Sequence, residues 1–100
     1  MILKLADDSF DGLYDGTKFV TIRKGKLDVQ LGENVMESLS GDRSEKIDVY
    51  QVTRMVIGLV PDTVAQDDGF EDSEEMLEGM KRFYPDINED TEVTIIHFNV

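Results

Sequence analysis

The stretch ENVMESLSGDRSEKIDVYQVTRMVIGLV, residues 33–60, decides the fold. Its two ends are rich in β-branched and large apolar residues, and Gly41 and Asp42 between them are residues that tight turns favour. This pattern predicts two strands joined directly by a turn. The second apolar run is too long for one straight strand, so a bend or bulge is expected near Gly58, as when a small sheet curls toward a barrel. Strands that follow one another through turns instead of helices indicate an α+β fold and not a doubly wound sheet.

Working outward, ILKL at residues 2–5 reads as a short strand, and DDSFDGLYDG after it as a short helix or turn cluster ending near Gly16. FVTIR, residues 19–23, is β-branched and bounded by Gly16 and Gly25, which predicts a strand. Past Pro61 the acidic segment DTVAQDDGFED is expected to cross over as a loop. From Ser73 the period changes: Met76, Leu77, Met80, Phe83 and Tyr84 fall on one face of a helix that Pro85 should stop. Asp72 or Ser73 can cap it, and Gly79 inside it is expected to mark a close approach to the sheet. The last stretch, TEVTIIHFNV, carries apolar side chains on both parities, as a strand covered on both faces does. One hundred residues are expected to make one domain, spanning 1–100.

The chain has 22 Asp and Glu against 10 Lys and Arg, a net charge of −12. Such a field repels nucleic acid, lipid headgroups and acidic proteins, so any polyanion must be met locally. Against it stands GTKFVTIRKGK, residues 16–26, with four of the basic residues and no acidic one. There is no cysteine, which excludes disulfides and thiolate chemistry, and the single His97 cannot build a zinc site alone. No run approaches the roughly 20 apolar residues of a membrane span, and the apolar start is too short for a signal peptide. The simplest reading is a cytoplasmic protein with no membrane partner.

Three stretches together resemble the ASCH (activating signal cointegrator homology) family. GTKFVTIR looks like its Gly-x-Lys-x-x-Thr-x-Arg strand, AQDDGFEDSEEM like its Ala-x-x-acidic-Gly-Phe loop and following helix, and FYP with TEVTIIHF like its closing segment. The resemblance implies an α+β, PUA-like small β-barrel of about five to six strands, with one short N-terminal helix and one longer helix before the last strand. It also implies a cleft beside the basic strand that binds RNA or a nucleotide-like ligand. In length and motif order the chain is similar to the small bacterial N(4)-acetylcytidine amidohydrolases, a resemblance that carries catalytic positions to Lys18, Thr21 and Asp68. Asp68 stands where those enzymes have Glu.

Amide hydrolysis needs a nucleophile, a base and donors for the oxyanion. Thr21 can attack, Lys18 can take its proton if desolvation lowers its pKa, and Asp68 can orient Lys18 or the substrate amine. Arg23, with Lys18, can hold a polar or anionic group of the ligand. Strand alternation places Thr21 and Arg23 on one side, and Lys18 joins them only if it lies in the turn before alternation begins. Lys24 and Lys26 read as solvated charges that balance acidic neighbours.

The segment from Asp62 to Glu92 holds twelve carboxylates, which read as a solvated face. Asp67, Asp68, Glu71 and Asp72 lack the alternating ligands and following glycine of an EF-hand loop, so neither a metal nor a cofactor is expected. Three functions stay open. The first is binding of a small nucleoside, nucleotide or short RNA, with hydrolysis of an acylated nucleobase amide as an extension. The second is a non-catalytic RNA-binding module, although long nucleic acid is disfavoured by the net charge. The third is an acidic protein that meets a protein partner through its charged face as a polyanion mimic.

Overall fold

A computed structural model of the protein describes residues 2–15 and 20–100. The elements are β1 (Ile2–Leu5), α1 (Asp7–Asp15), β2 (Val20–Lys24), β3 (Gly32–Ser38), β4 (Ser44–Val56), a 3₁₀ turn (Ile57–Leu59), α2 (Asp62–Asp67), α3 (Ser73–Met80) and β5 (Glu92–Asn99). The five strands form one sheet in the order β1-β3-β4-β5-β2. β1 pairs parallel with β3, and the other three pairings are antiparallel. β3 and β4 are joined by the turn expected around Gly41, whose φ of 82° is one that glycine adopts without strain.

β5 organises the core. It lies between β4 and β2 and is covered on both faces, as its apolar side chains on both parities imply. Val93 and Ile95 join Val20, Ile22, Met76 and Met80 in a cluster on the side of α2 and α3. Ile96 and Phe98 join Phe10, Met36, Ile47 and Val49 in a second cluster on the side of α1. Each of these four β5 side chains is at most 1% exposed, and burying one such side chain contributes about 1.5–3 kcal/mol. Surface ion pairs such as Lys46–Glu33 contribute about 0–1 kcal/mol each, so the burial of each of these side chains outweighs any one such pair.

The long apolar run of β4 does bend, but at Tyr50 instead of Gly58. The register with β5 passes from Val49↔Phe98 to Gln51↔His97, leaving Tyr50 as the extra residue. A one-residue bulge exchanges the two faces of a strand. Ile47 and Val49 therefore face the α1-side core before it, and Val52 packs against the same core after it. Gly58 lies instead in the 3₁₀ turn, where its N–H donates to Glu89 O at 2.9 Å and an added Cβ would sit 3.0 Å from that oxygen.

Two further expectations are corrected. The acidic crossover is not all loop, because residues 62–67 form α2, tied to the next helix where Asp62 Oδ1 accepts from Ser73 N at 2.9 Å. That bond holds the Asp62 carboxyl below its usual pKa. α3 also ends at Met80, four residues earlier than its periodicity suggests. Arg82 N and Phe83 N bond back only three residues, to Gly79 O and Met80 O, and Tyr84 precedes Pro85, which disfavours helical backbone. Asp72 is the N-cap, with its side chain accepting from Glu75 N at 2.8 Å. Among the described residues no helix is long and apolar enough to cross a membrane.

Candidate functional site

Lys4 and Leu5 of β1 and Thr21, Ile22 and Arg23 of β2 line one cleft of about 230 Å³, although the two strands are the opposite edges of the sheet. The sheet therefore curls into a half-barrel, and the cleft lies between its edges. Strand alternation puts Thr21 and Arg23 on the same face, opposite Ile96 and Thr94 of β5. Thr21 is only 3% exposed. Arg23 Nε–H donates to Thr21 Oγ1 at 3.1 Å, and a terminal N–H points to Met36 Sδ at 3.9 Å.

Both of those acceptors are neutral. Burial pushes the Arg23 guanidinium below its usual pKa, while Tyr84 and Asp68 act in the opposite sense. Arginine starts so far above neutrality that it stays charged. The result is a half-buried cation whose hydrogen bonds, among the described residues, reach no carboxylate.

Asp68 reaches the cleft through the way α2 ends. Gly69 N–H donates to Gln66 O at 2.9 Å and Phe70 N–H to Ala65 O at 3.0 Å, with Gly69 at φ 95°. This is a Schellman motif: a left-handed glycine follows the cap, and the next residue is tied back over the helix. Asp68 is the cap and Phe70 the tied residue, and both line the cleft. Among the described residues nothing lies within 4 Å of a Cβ added at Gly69, so Gly69→Ala should cost backbone strain alone, about 1–2 kcal/mol. Thermal unfolding should show a Tm lower by roughly 4–8 °C per kcal/mol. An unchanged Tm would mean that residue 69 tolerates a side chain and that the motif does not constrain Asp68.

The remaining walls are mostly apolar. Phe70, Met80, Phe83 and Tyr84 stand on one side and Leu5, Ala6 and Leu39 on the other. Leu39 and Phe83 are 59% and 49% exposed, which gives the cleft an apolar mouth above a polar floor.

Of the site residues proposed from sequence, Thr21, Arg23 and Asp68 line this one cleft, and Lys18 lies outside the described residues. Lys24 is an ion-pair partner, with Nζ at 2.9 Å from Asp86, and holds that carboxyl below its usual pKa. His97 is half-buried on the opposite face of β5, its ring 6.0 Å from that of Tyr50, and burial lowers its pKa. The apolar spacing puts Tyr84 on the packed face of a helix, whereas it stands beyond the end of α3 and lines the cleft, and its position before Pro85 is the signal that it leaves the helix. Among the described residues no three His, Asp or Glu side chains converge as a metal site would.

No family model matches the chain, and no curated protein does. Solved structures do. The crystal structure of an ASCH domain from Lactobacillus crispatus JV V101 superposes with a TM-score of 0.77 at 18% identity, covering 99% of this chain and 77% of that one. A protein from Enterococcus faecalis V583 described as DUF984 gives 0.68 at 18% identity, over 93% and 69%. The hypothetical protein PH0355 gives 0.73 at 14% identity, over 98% and 95%. At such identities the likeness is one of fold, and it agrees with the curled five-stranded sheet and its flanking helices. The chain has the fold of the ASCH domain, a small PUA-like α+β half-barrel.

Proposed function

We propose that this domain binds a nucleoside or mononucleotide in the cleft between its edge strands, with Arg23 holding a polar or anionic group of the ligand. The observation that carries this reading is the Arg23 guanidinium itself: half-buried in a largely apolar cleft and, among the described residues, hydrogen-bonded only to Thr21 Oγ1 and Met36 Sδ. A desolvated cation with neutral acceptors gains from an oxygen-bearing ligand, because charge-assisted hydrogen bonds are about twice as strong as neutral ones. Size points the same way. Ligand pockets commonly measure about 300–1,000 Å³, and this one, at about 230 Å³, suits one base or nucleoside better than a strand.

An RNA-binding surface is less well supported. Lys4, Lys24, Lys46 and Lys81 each face a carboxylate, so these cations are already engaged and form no stripe along which a phosphate backbone could run. The acidic face remains open to a protein partner, and a cytoplasmic setting fits the absence of cysteine.

A finer reading adds catalysis. Thr21 Oγ1, held by Arg23, can attack the carbonyl of an acylated nucleobase amide such as N(4)-acetylcytidine. The C–N bond breaks, the hydroxyl proton passes by way of Lys18 to the departing amine, and water then hydrolyses the threonyl ester to release acetate. In this scheme Asp68 orients the amine. The test is titration of the purified protein with cytidine, N(4)-acetylcytidine and cytidine monophosphate, followed by single-turnover chromatography of the acetylated compound. Binding with no acetate release, unchanged in Asp68→Glu, leaves a binding protein. Release that rises in Asp68→Glu and disappears when Lys18→Ala is added supports the hydrolase. Failure of all three compounds to bind would remove the nucleoside reading.

A further inference from the structure

We infer that Gly79 is a specificity-determining residue, because it forms the recess in α3 into which the Phe70 ring retracts and so sets the width of the cleft. The inference rests on the nucleoside reading for the identity of the ligand, and on geometry alone for the role of the glycine.

A Cβ built at Gly79 would lie 2.6 Å from Phe70 Cε1 and 3.0 Å from Cζ. Real side chains do not approach so closely, so with any residue but glycine the ring or the helix must move. Gly79 also lies inside α3, where glycine costs about 1 kcal/mol relative to alanine, and this contact accounts for its presence. Sequence alone suggested a close approach to the sheet; the partner is instead an aromatic ring on the preceding segment.

The direction in which Phe70 can yield is restricted. Its backbone is tied to Ala65 O by the Schellman bond, so the residue pivots about χ1 and χ2 instead of sliding along the chain. Behind it the α2–α3 core is closed, with Ala65 and Met76 both 0% exposed. Open volume lies on the cleft side, which Phe70 and Gly79 both line. A methyl group at residue 79 therefore drives the ring into the space above Thr21 and Arg23. The floor chemistry stays intact, while the largest group that fits beside it becomes smaller. Pockets commonly discriminate one added carbon by about 10- to 200-fold when the wall cannot give.

The test combines Gly79→Ala, Phe70→Leu and the double variant with two probes of graded size, cytidine and N(4)-acetylcytidine. In Gly79→Ala, nuclear Overhauser contacts of the Phe70 ring should move toward Thr21 and Leu39. Affinity for the acetylated probe should fall about tenfold more than affinity for cytidine. The double variant should restore it, since the shorter side chain vacates the collision, and Phe70→Leu alone should favour the larger probe. If the ring keeps its contacts while α3 shifts, or both affinities fall equally with no restoration, the inference is wrong. Should neither probe bind the wild type, the nucleoside reading fails by itself, and the ring displacement, which needs no ligand, still decides the role of Gly79. Poor folding of Gly79→Ala leaves Phe70→Leu as the deciding variant, and equal affinity changes for the two probes there would overturn the inference.

Discussion

Arg23→Met is expected to weaken binding of cytidine monophosphate about a hundredfold while leaving Tm unchanged or slightly raised. The two effects separate because the guanidinium contributes differently to each. Toward a ligand oxygen it offers charge-assisted hydrogen bonds of about 1.5–3 kcal/mol each, and losing that interaction corresponds to roughly two orders of magnitude in Kd. Toward the fold it offers, among the described residues, a bond to Thr21 Oγ1, a long contact to Met36 Sδ and an attraction to Asp68, set against the cost of desolvating the charge. Methionine keeps most of the volume beside Met36 without that cost. Calorimetric titration and thermal unfolding of the same preparation give both quantities. A variant that binds normally would exclude Arg23 as the anchor, and one that unfolds would make it a structural residue.

Phe98→Ala should lower stability by about 3–5 kcal/mol, a large part of the roughly 5–15 kcal/mol of a small domain. Phe98 is 1% exposed and sits opposite Val49 at the edge of the β4 bulge, within the α1-side core. Its removal leaves a cavity under β5 that α1 cannot collapse into without losing its own packing through Phe10 and Leu13. In thermal unfolding the expected drop is on the order of 20 °C. Leu59→Ala is the matched control: Leu59 is 72% exposed, and its truncation should stay within about 0.5 kcal/mol. Equal shifts for the two variants would mean that β5 is not the strand on which the cores depend.

Sequence alone determined the features whose causes are local. The turn at Gly41, the two-faced apolar pattern of β5 and the Asp72 cap each follow from residues within a few positions of one another, and each stands where the pattern put it. The α2 helix was not legible because six residues are too few to show a period. The early end of α3 was masked because Tyr84 still packs against the core after the helix has stopped, which keeps the apolar spacing unbroken. The bulge at Tyr50 has no local signal; it arises because Ile47, Val49 and Val52 must all face one core while β4 stays paired with β5.

The resemblance implies that Thr21, Arg23 and Asp68 serve one cleft, but the means that bring them there, the curl of the sheet and the Schellman end of α2, belong to the tertiary structure. Local chemistry decides what each segment prefers to be. Which segments become neighbours is decided by burying both faces of β5 at once, and the curled half-barrel that does so brings β1 and β2 to opposite walls of the same cleft.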